Sequence, residues 1–111
     1  GPQGFATSIA RGNTPFEPGM VTSNEPGFYK NGAYGIRIEN LIITVPSKHE
    51  GYLAFETITV CPIDTNLINK AMLTQSEINW LNDYHTMTFE RISPLLEADE
   101  VSWLRAKTEK I

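Results

Sequence analysis

An α+β fold is predicted for this 111-residue chain, on three observations. Residues 35–46, GIRIENLIITVP, alternate with period two, as a strand does. Residues 52–62, YLAFETITVCP, form a second β-rich run. After Asp64 the period turns helical, and Thr74 with Glu77 three residues on forms a capping box. Strands therefore come first and two or three helices follow.

Residues 1–19 are rich in Gly, Pro, Ser and Thr without periodicity, and read as an irregular loop with a short extended piece near Phe5 to Ile9. Residues 20–25 read as a strand that Pro26-Gly27 ends. A turn-rich loop carrying Gly27, Asn31, Gly32 and Gly35 leads into the strand over 35–46. Its alternation puts Ile36, Ile38, Asn40 and Ile42 on one face and Arg37, Glu39, Leu41 and Ile43 on the other. Apolar residues on both faces predict a sheet covered, at least in part, on both sides. A polar turn over 47–51 joins it to the run over 52–62, with which it should pair.

Residues 66–73 read as a short helical turn, and Thr74 opens a helix reaching about Ser93. Its apolar stripe comprises Ile78, Leu81, Tyr84, Thr88 and Ile92. Ser93-Pro94 reads as a cap followed by Pro at the first helical position, and Asp99 as a second cap before VSWLRAKTEK. No repeat or low-complexity segment interrupts this order, and the length suits one domain or part of one.

A formal net charge of -4 and scattered basic residues exclude a phosphate-neutralising stripe, so no nucleic-acid partner is expected. Neither a membrane-length apolar run nor a signal peptide is present in the sequence. Cys61 is the single cysteine, which rules out an intrachain disulfide or a cysteine cluster and suits a reducing, cytoplasmic compartment. Its ITVCPI setting predicts a small buried core residue.

The chemistry-bearing stretch is SNEPGFYKNGAYGIRIEN, residues 23–40. Glu25 and Glu39 stand on two segments predicted to be extended, with a turn between them. Opposed residues of antiparallel strands lie about 4.5–5.5 Å apart at Cβ, within reach of one cation or of a pair. Hard divalent ions suit such carboxylates, and one glutamate could exchange a proton with water. Arg37, two residues before Glu39 on the same face, supports a second reading, a strand-face ion pair beside a turn. Spacing leaves both open. His49 is expected in solvent and His85 in a partly buried, hydrogen-bonded helix position. Trp80, Tyr84, Phe89 and Trp103 are expected to pack helices. Asp64 and Asp83 have no partners at metal-binding spacing.

The stretch GMVTSNEPGFYKNGAYGIRIEN resembles the C-terminal signature of X-Pro aminopeptidases (aminopeptidase P), metallopeptidases of the creatinase-like, pita-bread fold. The resemblance runs on through LAFETITVCPIDTNLI, INWLNDYH and SPLLEADEVSWLRAKT, essentially the whole chain. It implies that residues 1–111 are the C-terminal portion of a pita-bread catalytic domain. The implied reaction removes an N-terminal residue that precedes proline, using two divalent metals, commonly Mn²⁺. By position, Glu25 matches a metal ligand that also serves as acid and base, Glu39 matches the glutamate bridging both metals, and Arg37 matches an orienting arginine. The family's remaining ligands, two aspartates and a histidine, have no match here, and GPQGF resembles the run just after a substrate-contacting histidine. The fragment alone is then expected to bind no metal and to be inactive, the repulsion of its carboxylates uncompensated. Its uncovered apolar surface is expected to meet a second copy or the missing part of the parent chain. A non-catalytic peptide- or protein-binding module on the same fold, and a prolidase- or creatinase-like hydrolase, are the alternatives.

Overall fold

The computed structural model describes residues 14–111, so the extended piece expected near Phe5 to Ile9 lies outside the described residues. The chain divides into two compact units, Gly1–Thr59 and Val60–Ile111. Among the described residues the first holds five strands: β1 Val21–Asn24, β2 Gly27–Lys30, β3 Tyr34–Arg37, β4 Asn40–Pro46 and β5 Leu53–Thr57. β4 is the centre of an antiparallel sheet of order β1-β4-β5, and β2 and β3 form a two-stranded ladder.

These two ladders share one register. β1 pairs with β4 through Asn24 opposite Asn40, and β2 pairs with β3 through Gly27 opposite Arg37. Counting inward from each, Glu25 faces Glu39 and Pro26 faces Ile38. The arms thus form one long hairpin with a break at its waist. Pro26 has no N–H to give, so the ladder cannot run through it. A single bond from Ile38 N–H to the Pro26 carbonyl, at 3.3 Å, crosses the gap. The strand expected over 35–46 is therefore two strands, parted by the proline on the partner arm. The loop expected after Gly27 is mostly strand, β2, and only residues 31–33 turn. Gly32 takes φ 68° there, a conformation glycine adopts without a Cβ penalty.

At the other end of β4 the polar turn closes by Ser47 N–H to the Tyr52 carbonyl, 3.0 Å. β5 then pairs along β4, from Pro46 opposite Leu53 to Ile42 opposite Thr57. Thr44 and Asn40 are buried in the sheet, and Phe16 meets Phe55 edge-on with centroids 5.1 Å apart. Covering on both faces is not observed: Val21 is 54% exposed, Leu41 45% and Phe55 49%. Among its described residues this unit has no helix to form a second layer.

The second unit is helical. 3₁₀ turns at Thr65–Leu67 and Lys70–Met72 precede α1, Gln75–Ile92, and a 3₁₀ turn at Ser93–Leu95 leads to α2, Ala98–Lys107. Thr74 caps α1 as the sequence predicts: Glu77 N–H donates to its Oγ1 at 3.4 Å, and Thr74 N–H donates to the Glu77 carboxylate at 2.8 Å. The cap of α2 is Glu97 rather than Asp99, which lies in the first turn. Glu97 N–H donates to the Glu100 carboxylate at 2.9 Å, closing the helix start.

Leu81, Tyr84, His85 and Thr88 are the buried residues of α1, spaced by three and four along one face, and Leu104 is buried on α2. Burying each such leucine is worth about 1.5–3 kcal/mol. The extended segment before the helices is held to α1 by side chains. Tyr84 Oη donates to the Cys61 carbonyl at 2.8 Å, and His85 Nε2 accepts from Ile63 N–H at 3.1 Å. Ile111 N–H donates to Asn82 Oδ1 at 2.9 Å on the same helix. Cys61 is exposed, against the expectation of a core thiol. Its backbone is what Tyr84 engages, which fixes the segment without burying the side chain. Trp80 stacks on Tyr84 at 5.5 Å yet stays 51% exposed, and Trp103 is 58% exposed, so neither indole is a core residue here.

Candidate metal centre

The break in the long hairpin is where the predicted site residues meet. Residues 23, 25, 27 and 29 alternate onto one face of the first arm, and 35, 37 and 39 onto the same face of the second. Glu25 and Glu39 oppose each other at the gap, and Arg37 lies between their carboxylates. Its Nε is 3.2 Å from Glu39 Oε2 and its Nη1 is 3.9 Å from Glu25 Oε2. The carboxylate repulsion expected to go uncompensated is therefore offset by a guanidinium, which corrects that reading. All three side chains are about half exposed, so the pairing is screened and adds little to stability.

Two residues that sequence reasoning did not single out complete the arrangement. Ser23 Oγ donates to Glu25 Oε1 at 2.6 Å. Tyr29 lies across two glycines: a Cβ at Gly27 would sit 2.7 Å from its Oη, and one at Gly35 2.7 Å from its Cδ1. With both positions bare, the ring lies along the ladder and its hydroxyl lies over Gly27, the residue paired with Arg37. Tyr29, by hydrogen bonding and then by charge, followed by the charges of Glu39 and Glu25, raises the Arg37 pKa further above its already high value, so the guanidinium stays charged. The signal for both residues was the period of two: positions 23 and 29 share the face of 25.

Other residues read as non-ligands lie elsewhere. His49 is exposed in the β4–β5 turn, and His85 is fully buried in α1 with its pKa lowered by burial. Asp64 Oδ1 accepts from Asn66 N–H at 3.0 Å, capping a 3₁₀ turn. Among the described residues, no group of three or more His, Cys, Asp or Glu side chains comes together. The two glutamates offer hard oxygen donors on one face, which would fit a divalent cation but fill only part of its coordination.

Two family models match the sequence that carries this hairpin and the helical unit. Residues 2–46 match metallopeptidase family M24, and residues 51–111 match the C-terminal region of peptidase M24. The chain belongs to the M24 metallopeptidases. Within that family it is similar to "Probable Xaa-Pro aminopeptidase P" of Coprinopsis cinerea, 46% identical over all of this chain and 19% of the relative. The protein of the same name in Laccaria bicolor is 43% identical over 95% of this chain and 18% of its own length. The crystal structure of X-prolyl aminopeptidase from Caenorhabditis elegans, described as a cytosolic enzyme with a di-nuclear active site, aligns with a TM-score of 0.78. That alignment has 36% identity and covers 86% of this chain and 17% of the other. The chain thus spans about a fifth of the length of the relatives it matches. No helix among the described residues is long and apolar enough to cross a membrane.

Proposed function

We propose that this chain is the C-terminal portion of the catalytic domain of an X-Pro aminopeptidase, and that Glu25 and Glu39 are two ligands of its dinuclear centre. The observation that carries this reading is the pair itself, opposed at the one point where Pro26 opens the ladder. The Xaa-Pro aminopeptidase names of the relatives and the di-nuclear site described for the C. elegans enzyme support it.

Glu39 is assigned the bridging position and Glu25 the position that binds one ion and moves a proton. Arg37, held by Tyr29 and touching both carboxylates, orients them. When bound, two divalent ions, Mn²⁺ on this reading, supply Lewis-acid activation of a water nucleophile. The substrate is a peptide with proline in second position, and the compartment is the cytoplasm. The remaining ligands come from the parent polypeptide, so the 111 residues alone are inactive. The exposed apolar residues of the sheet, Val21 and Leu41 among them, are covered by that polypeptide or by a second copy.

The test is to assay the full-length protein and the isolated chain with an X-Pro peptide and Mn²⁺. Metal-dependent release of the first residue by the full-length protein alone is expected. Turnover by the isolated chain, or none by either, overturns the reading.

A further inference from the structure

A glutamate beside a break in a ladder is poorly fixed by its own backbone. Glu25 follows the last residue of β1 and precedes Pro26, so the pairing that holds β1 stops just short of it. Its side chain has two free sp³ torsions and a carboxylate that can turn about a third. Ser23 is placed differently: it lies inside β1, paired opposite Leu41, where the ladder is continuous.

Ser23 Oγ donates to Glu25 Oε1 at 2.6 Å, the short range of a hydrogen bond to an ionised carboxylate. The other oxygen, Oε2, is the one directed at Arg37 Nη1, 3.9 Å away, and Glu39 also meets this guanidinium through its Oε2. The two oxygens of Glu25 are therefore not equivalent. One is tied to a paired strand; its twin faces the positive charge shared with Glu39.

We propose that Ser23 is a positioning residue: its hydroxyl ties Glu25 Oε1 to strand β1 and so fixes the carboxylate that would help hold the metal. This rests on the metal role assigned to the glutamates and adds a residue to it. A hydroxyl at position 23 acts through Glu25.

Four forms of the full-length protein test the idea: wild type, Ser23→Ala, Ser23→Thr and Ser23→Val. Thr and Val have nearly the same shape and both favour strands, so their difference isolates the hydroxyl even if Ala loosens the strand. Titration of the metal-stripped proteins with Mn²⁺ by calorimetry is the first readout. Affinity is expected to fall about tenfold in the Ala and Val forms and to stay within about twofold of wild type in the Thr form. With Mn²⁺ saturating, kcat for an X-Pro peptide is expected to fall about tenfold in the Ala and Val forms with KM unchanged, and to recover in the Thr form. Equal Mn²⁺ affinity in the Thr and Val forms overturns the proposal. A wild type that binds Mn²⁺ but cleaves no X-Pro peptide overturns the functional reading instead, while the calorimetric comparison still decides the part played by Ser23.

Discussion

The ring of Tyr29 lies against Gly35, its partner across the β2–β3 ladder, so closely that a Cβ there would stand 2.7 Å from Tyr29 Cδ1. Nothing short of moving the ring or the strand makes room for a methyl group. Because the ring carries the hydroxyl that engages Arg37, the bare backbone of Gly35 governs how the arginine is held. Gly35→Ala in the full-length protein is expected to displace the ring and lower kcat. Tyr29→Phe keeps the ring in place but removes its hydrogen bond, and should cost about tenfold in kcat. Steady-state kinetics on the two variants checks both; full activity in Gly35→Ala would mean that the ring position does not matter.

Glu39 faces Glu25 at the waist of the hairpin and takes the closer contact with Arg37, 3.2 Å. On the proposed reading Glu39 would serve both ions at once. Glu39→Ala in the full-length protein is therefore expected to reduce the bound Mn²⁺ and to lower kcat at least about a hundredfold. Elemental analysis of the dialysed protein gives the stoichiometry. Two equivalents retained by the variant would rule out the bridging role.

His85 makes the stability of the helical unit depend on pH. Burial is the main cause of its lowered pKa, and its contact with the Glu109 backbone works the other way. A depressed histidine pKa means that the unfolded chain takes up a proton the folded chain refuses. Below the ordinary value of 6.5, protons therefore favour unfolding, and stability falls as the pH drops. The added slope is at most about 1.4 kcal/mol per pH unit for one proton. Thermal unfolding followed by tryptophan fluorescence, with Trp80 stacked beside Tyr84 as a local reporter, should show the melting temperature dropping from about pH 7.5 to about pH 5. His85→Gln should melt lower throughout and with a flatter pH dependence; an unchanged slope would assign the effect to other groups.

The fold class, the order of strands before helices and the Thr74–Glu77 cap were legible because each rests on neighbouring residues. A capping box needs four residues, and an alternating strand shows itself within six. The misreadings came where the deciding partner lay on another segment. Glu39 looked like the middle of a strand until Pro26, thirteen residues earlier, was placed opposite Ile38. The apolar ITVCPI setting pointed to a buried thiol, yet Tyr84 holds Cys61 by its backbone. His85 was recognised as a hydrogen-bonded helix residue; its acceptor role toward Ile63 needed the segment folded back onto α1.

For the candidate site, sequence by itself determined the residue types and their face: Glu25, Arg37 and Glu39, with the period of two that points them the same way. It also carried the family resemblance that the M24 match bears out. Tertiary structure decided the register. Only the pairing of Asn24 with Asn40 and of Gly27 with Arg37 sets Glu25 opposite Glu39, and a slip of one residue would have turned one arm's side chains away from the other's. It also decided that Arg37 stands between the carboxylates, that Ser23 bonds Glu25 and that the Tyr29 ring lies against Gly35, because a hydrogen bond of 2.6 Å and a contact across a bare glycine depend on distances in space that spacing along the chain does not encode.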